Sequence, residues 1–225
     1  MKFAIAKEHK DYFDKKGWIE FEDLLSDEQF LLLKDAIREV LSERTKKPYA
    51  KIIYSSETLF KQGRDLWRSH ENVSKIAEAR RMAETAAELF EKKALRLGFD
   101  QFFPSANPSS WPLFEQVCPI DSISCIKEIV GGFIIALENQ TDENLAENMF
   151  PKKAGNILFF KGNVPIDWKF LCHQSKQPFY LVAYTLPTAR YYLEMADPNT
   201  HDLKKLGYIF NDKLKDNLHP LVFRN

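Results

Sequence analysis

The sequence predicts an α+β fold in which helices buttress a pair of sheets, and two observations carry that expectation. Residues 1–98 read as mainly helical, with apolar side chains returning at the helical period. Residues 99–225 instead break into short aromatic and β-branched runs separated by Pro and Gly. Of the 225 residues 44% are hydrophobic and 18 are Phe, too apolar for a disordered chain and sufficient for one domain with a sizeable core. No internal repeat or low-complexity segment divides the chain, so a single domain over 1–225 is expected.

Taken in order, Gly17 to Leu25 alternates aromatic and acidic residues as a short strand does. Ser26 and Gln29 then have capping-box spacing, and Phe30, Leu33, Ile37, Val40 and Leu41 recur at the helical period. That helix should end before Pro48, which disfavours helical geometry in the residue preceding it. A second, long helix is expected from Ser69 to Leu97. Val73, Ile76, Ala83, Ala87, Phe90 and Leu97 lie on one side, its alanines allow close packing on a sheet, and Gly98 is its stop.

Pro104, Pro108 and Pro112 punctuate a loop, after which strands are expected near Ser122 to Ile126, Gly132 to Glu138, Asn156 to Lys161, Phe179 to Leu186 and Ala189 to Met195. Past Pro198 the tail is polar and helical in character, with Thr200 as a cap and Gly207 as a stop.

Charge excludes some functions. Lys+Arg and Asp+Glu are both 32, so there is no excess cation to neutralise a phosphate backbone, and nucleic acid is a poor candidate partner. Arg80, Arg81, Lys92, Lys93 and Arg96 share one stretch but are interleaved with Glu78, Glu84, Glu88 and Glu91, as on a solvated mixed-charge face. The charged N-terminus does not read as a signal peptide. The longest uncharged apolar run, Ile129 to Leu137, is about half of what a bilayer-spanning helix needs. Cys118, Cys125 and Cys172 have no CxxC spacing, which suits a reducing compartment; a cytoplasmic location is expected, with no membrane partner.

Two stretches bear on family, the second running in parts from Gly132 to Phe179. They are Tyr12-Phe13-Asp14-Lys15-Lys16-Gly17-Trp18-Ile19 followed by Leu24-Leu25-Ser26-Asp27-Glu28-Gln29; Gly132-Phe133-Ile134-Ile135-Ala136-Leu137-Glu138; and Ala154-Gly155-Asn156-Ile157-Leu158-Phe159-Phe160 through Ser175-Lys176-Gln177-Pro178-Phe179. Together they resemble the phytanoyl-CoA dioxygenase-like branch of the Fe(II)/2-oxoglutarate oxygenases. The tail from Asp197 to Pro220 also resembles a group of chlamydial proteins. The resemblance implies a double-stranded β-helix, a jelly-roll or cupin-like core, with buttressing helices from the N-terminal half.

The chemistry of that family uses a His-x-Asp/Glu pair and a distant His to hold Fe(II) while leaving positions open for 2-oxoglutarate and oxygen. The resemblance assigns the pair to roughly Trp111 to Ile126, where there is no histidine and Asp121 is taken as the carboxylate for the acidic position. It assigns the distal histidine to the stretch Val164-Pro165-Ile166-Asp167, again without histidine. Where it places the cation that grips 2-oxoglutarate stands Phe179, which cannot make the bidentate bond of an arginine. His9-Lys10-Asp11 has the paired spacing but precedes the first strand. His70, His201 and His219 read as cap or surface residues.

The expected function is therefore a divergent, non-catalytic member of the fold, a scaffold for a small molecule or a protein, with no cofactor. Phe133, Phe159, Tyr180, Tyr184 and Phe179 are its candidate pocket residues, core packing being their alternative role. A second reading is an active non-haem oxygenase using Fe(II) and 2-oxoglutarate through an unusual ligand set, His173 with Asp121, Glu138 or Asp167. A third is a metal-responsive regulator or adaptor acting through the helical half. The sequence identifies no partner and leaves a homo-oligomer open.

Overall fold

The computed structural model describes residues 5–53, 55–105, 117–140, 148–171 and 176–225. Helix α1 (Lys7–Lys16) ends at Gly17, whose φ of 78° provides a left-handed cap, and strand β1 (Trp18–Phe21) follows. Ser26 caps α2 (Asp27–Thr45) as its spacing predicts. The hydroxyl accepts from the Gln29 amide at 3.2 Å, and the Gln29 side chain accepts from the Ser26 amide at 3.1 Å. Two short helices, α3 (Tyr49–Ile52) and α4 (Ser56–Gln62), lead to a 3₁₀ turn at Leu66–Arg68.

The long helix expected over Ser69 to Leu97 is instead α5 (Glu71–Ala77), α6 (Arg80–Phe90) and the start of β2 (Ala94–Phe103). The break has a packing cause. One continuous helix would set Arg80 a turn beyond Ile76, on the buried stripe; the extended residue Ala79 (ψ 117°) turns it out, leaving its side chain 83% exposed. Phe90 ends α6 because Glu91 adopts φ 54°. From Ala94 the chain is a strand, with Leu95 and Leu97 on one face. Gly98 does not stop a helix; it sits in a bulge between Leu97 and Phe99 that switches which residues face which side.

The remaining elements are β3 (Val117–Cys118), α7 (Ile120–Ile123), β4 (Ile129–Ala136), β5 (Ile157–Lys161), β6 (Ile166–Asp167), β7 (Phe179–Thr185) and β8 (Leu221–Arg224). Three of the five expected strands are therefore found as β4, β5 and β7. Ser122 to Ile126 is partly a helical turn, and Ala189 to Met195 forms bridges alone, Ile126 to Tyr191 and Arg190 to Lys213. Its in-out alternation is real, with Ala189 and Tyr191 buried, but Pro187 precedes it and it joins no ladder. The tail makes a 3₁₀ helix at Asp202–Leu206 that stops at Gly207.

Six strands form an antiparallel sheet in the order β1-β5-β4-β7-β2-β8, and β3 pairs with β6 in a second. Helices α2, α5 and α6 pack on one face of the large sheet through Leu33, Ile37, Val73, Ile76, Met82 and Ala83. On its other face lies a second core that includes Ile120, Ile166 and Trp168 from the small sheet and its flanks. Gly131 and Gly132 allow the tight stacking at β4. A Cβ at Gly131 would lie 2.3 Å from the Phe160 carbonyl and 2.6 Å from the Phe90 ring, and one at Gly132 would lie 2.1 Å from the Val182 carbonyl. No described helix is long and apolar enough to cross a membrane.

Candidate functional site between the sheets

The face of the large sheet away from the helices borders a cavity of about 40 Å³, room for only a few water-sized groups. Phe99, Gln101 and Phe103 of β2 and Leu181 of β7 form one wall. Ile120, Ile123, Ser124 and Trp168 form another, with Phe60, Arg64, Asp197, Pro198 and Asn199 closing it. Of these lining residues, Arg64, Ile123 and Pro198 keep exposed surface and so form the rim.

Gln101 reaches this wall because the bulge at Gly98 sets Phe99, Gln101 and Phe103 on the cavity side and Asp100 and Phe102 on the helix side. Its Nε2 donates to the Phe60 and Phe102 carbonyls, each at 2.9 Å. Its Oε1 is buried without a partner. Asn199 Nδ2 is likewise buried and unpartnered.

Arg64 is held from its backbone. The guanidinium of Arg44 on α2 donates to the carbonyls of Gln62 (2.6 Å), Arg64 (2.6 Å) and Asp65 (2.9 Å) and to the Ser69 hydroxyl (2.7 Å). The Phe102 amide donates to the Gly63 carbonyl and the Asp65 amide to the Asp100 carbonyl, so this segment covers the outer edge of β2 beyond the reach of β8. The Arg64 guanidinium stacks 3.3 Å from the Phe99 ring centre and lies 3.8 Å from Asp197. Asp197 in turn accepts from the amides of Cys125 and Asn199, each at 2.8 Å. Burial, with the nearby Asp197 carboxylate, pushes the Cys125 thiol far up, so it stays neutral.

On the helix side Asp100 is fully buried. It accepts from the Leu66 amide (2.7 Å), the Trp67 amide (2.9 Å) and the Tyr180 hydroxyl (2.5 Å). Burial pushes its carboxyl up to about 7, helped by Asp65 and outweighing these three bonds.

The residues singled out in the sequence lie elsewhere. Phe133, Phe159, Tyr180 and Tyr184 are fully buried in the core under the helices, whereas Phe179 is fully buried on the opposite face. The structure thus separates the five by strand parity, and none borders the cavity. Phe179 pairs across strands with Phe103 and Ala136, lies 5.7 Å from the Phe150 ring and shares its core with Leu158 and Phe160 of β5. Asp121 accepts from the Ile129 amide at 3.0 Å and Asp167 from the Phe170 amide at 2.8 Å. Glu138 is exposed, 3.6 Å from Arg38. His173 lies outside the described residues.

His9 sits on α1, where its Nδ1 accepts from the Ala6 amide. His70 caps α5 as expected, accepting from the Asn72 amide at 3.1 Å, and His201 is exposed. His219 corrects the sequence reading. It is fully buried, with Nε2 3.1 Å from Arg68 and Nδ1 2.9 Å from the Tyr208 hydroxyl. Arginine has no acceptor, so Nε2 must accept and Nδ1 carries the proton. Burial and the charges of Arg68, Arg96 and Arg64 lower the ring's pKa to about 2.

No protein-family model matches the chain, and no curated protein matches it. Solved structures do match. The non-haem α-ketoglutarate-dependent carbocyclase SnoK from nogalamycin biosynthesis is 15% identical, with a TM-score of 0.66 over 96% of each chain. The α-ketoglutarate-dependent epimerase SnoN is 14% identical, with a TM-score of 0.63 over 96% of this chain and 95% of that one. The fold is that of the Fe(II)/2-oxoglutarate oxygenases. CT296 from Chlamydia trachomatis is also similar, 19% identical with a TM-score of 0.51 over 83% of this chain and 99% of that one.

Within this oxygenase fold, the two stretches that the resemblance assigns to metal ligands meet as paired strands, Val117 opposite Asp167 and Cys118 opposite Ile166. Their donors do not fit an iron centre. Ile166 is apolar and fully buried, Asp121 and Asp167 each hold a backbone amide, and the Cys118 carbonyl accepts from the Trp168 indole. Among the described residues no group of three His, Cys, Asp or Glu could hold a metal ion. Gln101, Arg64, Asp197 and Asn199 escaped sequence reasoning because they come from three separate segments. The signal that existed was Asp100-Gln101, a polar pair set inside the apolar run Leu97 to Phe103.

Proposed function

We propose that the chain is a non-catalytic derivative of the oxygenase fold, working in the cytoplasm, that uses the space between its sheets to bind a small molecule. The observation that carries this reading is the Gln101 side chain, 1% exposed, which lines a cavity with aromatic walls and whose oxygen is buried without a partner. A buried acceptor left without a donor is destabilising by about 1–3 kcal/mol, so its place at the cavity suits a site completed by a ligand. The stretches that the resemblance assigns to iron ligands pair through Cys118 and Ile166, and oxygen activation needs Fe(II) held with open positions.

The test is anaerobic titration of the purified protein with Fe(II) and 2-oxoglutarate, followed by admission of oxygen. Metal analysis should find no stoichiometric iron, and succinate should not be released above the rate of free Fe(II). Stoichiometric iron with 2-oxoglutarate-dependent succinate release would overturn the proposal and establish an active oxygenase.

A further inference from the structure

The chemistry of the cavity specifies more than an unnamed small molecule. We infer that it takes an uncharged amide-type group, a primary amide, lactam or ureide, whose N–H donates to Gln101 Oε1; the inference rests on the binding reading above. Three observations lead there.

The first fixes the polarity of the demand. Gln101 Nε2 lies 2.9 Å from two carbonyl oxygens, those of Phe60 and Phe102. Flipping the side-chain amide would turn an oxygen toward both, so the atom left without a partner is the acceptor. A ligand completing this site therefore brings a donor, and a bare ketone or ester cannot. Asn199 Nδ2 offers the opposite group, a donor without a partner, which suits a ligand carbonyl.

The second concerns charge. Arg64 and Asp197 are the charged groups of the lining and lie 3.8 Å apart. The Asp197 carboxylate is further held by two backbone amides, and the Arg64 guanidinium lies over the Phe99 ring. Each charge already has its counter-charge, so a carboxylate or an ammonium entering here would lose hydration without gaining an unpaired partner. A neutral group avoids that penalty.

The third is shape. Phe60 and Phe103 meet edge to face at 5.4 Å and Phe103 lies 6.1 Å from Trp168, so the walls are ring faces and edges around a space of about 40 Å³. That admits a flat group of a few heavy atoms, with any larger remainder leaving past the rim at Arg64, Ile123 and Pro198.

Acetamide, acetone and acetate are nearly isosteric and separate these requirements. Each would be titrated into the ¹⁵N-labelled full chain, following the Gln101 side-chain amide and the Trp168 indole resonances. Acetamide should bind about tenfold or more tightly than acetone, the penalty for leaving a buried acceptor unpaired, and more tightly than acetate. In Gln101→Leu that preference should vanish, with acetamide and acetone binding alike; the comparison of the three probes on the native chain stands even where this variant fails to fold. Equal binding of acetamide and acetone to the native chain, preference for acetate, or no binding by any probe would each overturn the inference. None of these outcomes bears on succinate release, which tests the non-catalytic reading separately.

Discussion

The two faces of the large sheet are built from the same strands yet solve different problems. Under the helices, Leu97, Phe102, Phe133, Ile135, Phe159, Val182 and Tyr184 alternate inward and meet Leu33, Ile37, Ile76 and Ala83. The one ionisable group β2 sends to that side, Asp100, has three hydrogen-bond donors. On the other face the same alternation delivers Phe99, Gln101, Phe103 and Leu181, but the opposing layer is two residues deep per strand and leaves a gap with an unpartnered amide oxygen. Dense packing on one side stabilises the molecule, and incomplete packing on the other makes room for a ligand.

The largest effect should come from breaking the dense side. Phe133 is fully buried, with rings of Phe159 and Tyr184 at 5.7 and 5.9 Å. Phe133→Ala should destabilise by about 3–5 kcal/mol in urea unfolding, because the lost ring leaves a cavity that packed neighbours cannot fill. Phe103→Ala, beside space that already exists, should fall at or below the low end of that range. Equal losses at both positions would erase the distinction between the faces.

Asp100→Ala should come next, at roughly 3 kcal/mol, since it strands two amides and the Tyr180 hydroxyl while relieving a buried carboxyl. The same group gives the helix side a pH signature. Its carboxyl is raised from 3.8 to about 7 on folding. Between about pH 4 and 7 the folded state therefore binds more protons than the unfolded one, and this contribution to stability is lost as pH rises through that window. His219, lowered from 6.5 to about 2, works in the opposite sense; its contribution is present above 6.5 and is lost as pH falls. Melting temperatures should show the wild type losing ground to Asp100→Asn as pH rises from about 4 to 7, and losing ground to His219→Gln as pH falls from about 6.5. Parallel pH profiles for the wild type and Asp100→Asn would show that burial does not control this carboxyl.

The contrast between the faces also explains what the sequence made legible. Strands β4, β5 and β7 announce themselves because both of their faces are apolar, giving continuous runs such as Phe133 to Ala136 and Phe179 to Ala183. Strand β2 does not, because Leu95 and Leu97 continue the apolar stripe of α6 and Gly98 reads as a helix stop when it is a bulge. The two stretches that the resemblance assigns to metal ligands lie far apart in sequence, yet they meet, since Cys118 and Ile166 are paired. The cavity was not legible, since Arg64, Gln101 and Asp197 converge through backbone bonds, such as those from Arg44, that leave no pattern in sequence.

The smallest effect tests whether an orphaned polar group means the same thing on both sides. The Tyr184 hydroxyl, under the helices, is buried and unpartnered like Gln101 Oε1, and burial pushes its pKa far up, so it stays neutral. It is set among apolar side chains rather than at the cavity. If such a group on the dense side is only a defect, Tyr184→Phe removes an unsatisfied hydroxyl while keeping the ring that meets Phe133 at 5.9 Å. Stability should then rise or hold, by at most about 1 kcal/mol, and acetamide titration curves should be unchanged. Gln101→Leu has a different consequence, since it also removes donors from the Phe60 and Phe102 carbonyls and abolishes the acetamide preference. A Tyr184→Phe protein that loses acetamide binding while gaining no stability would show that the two faces are coupled through β7, and that the division drawn between them is wrong.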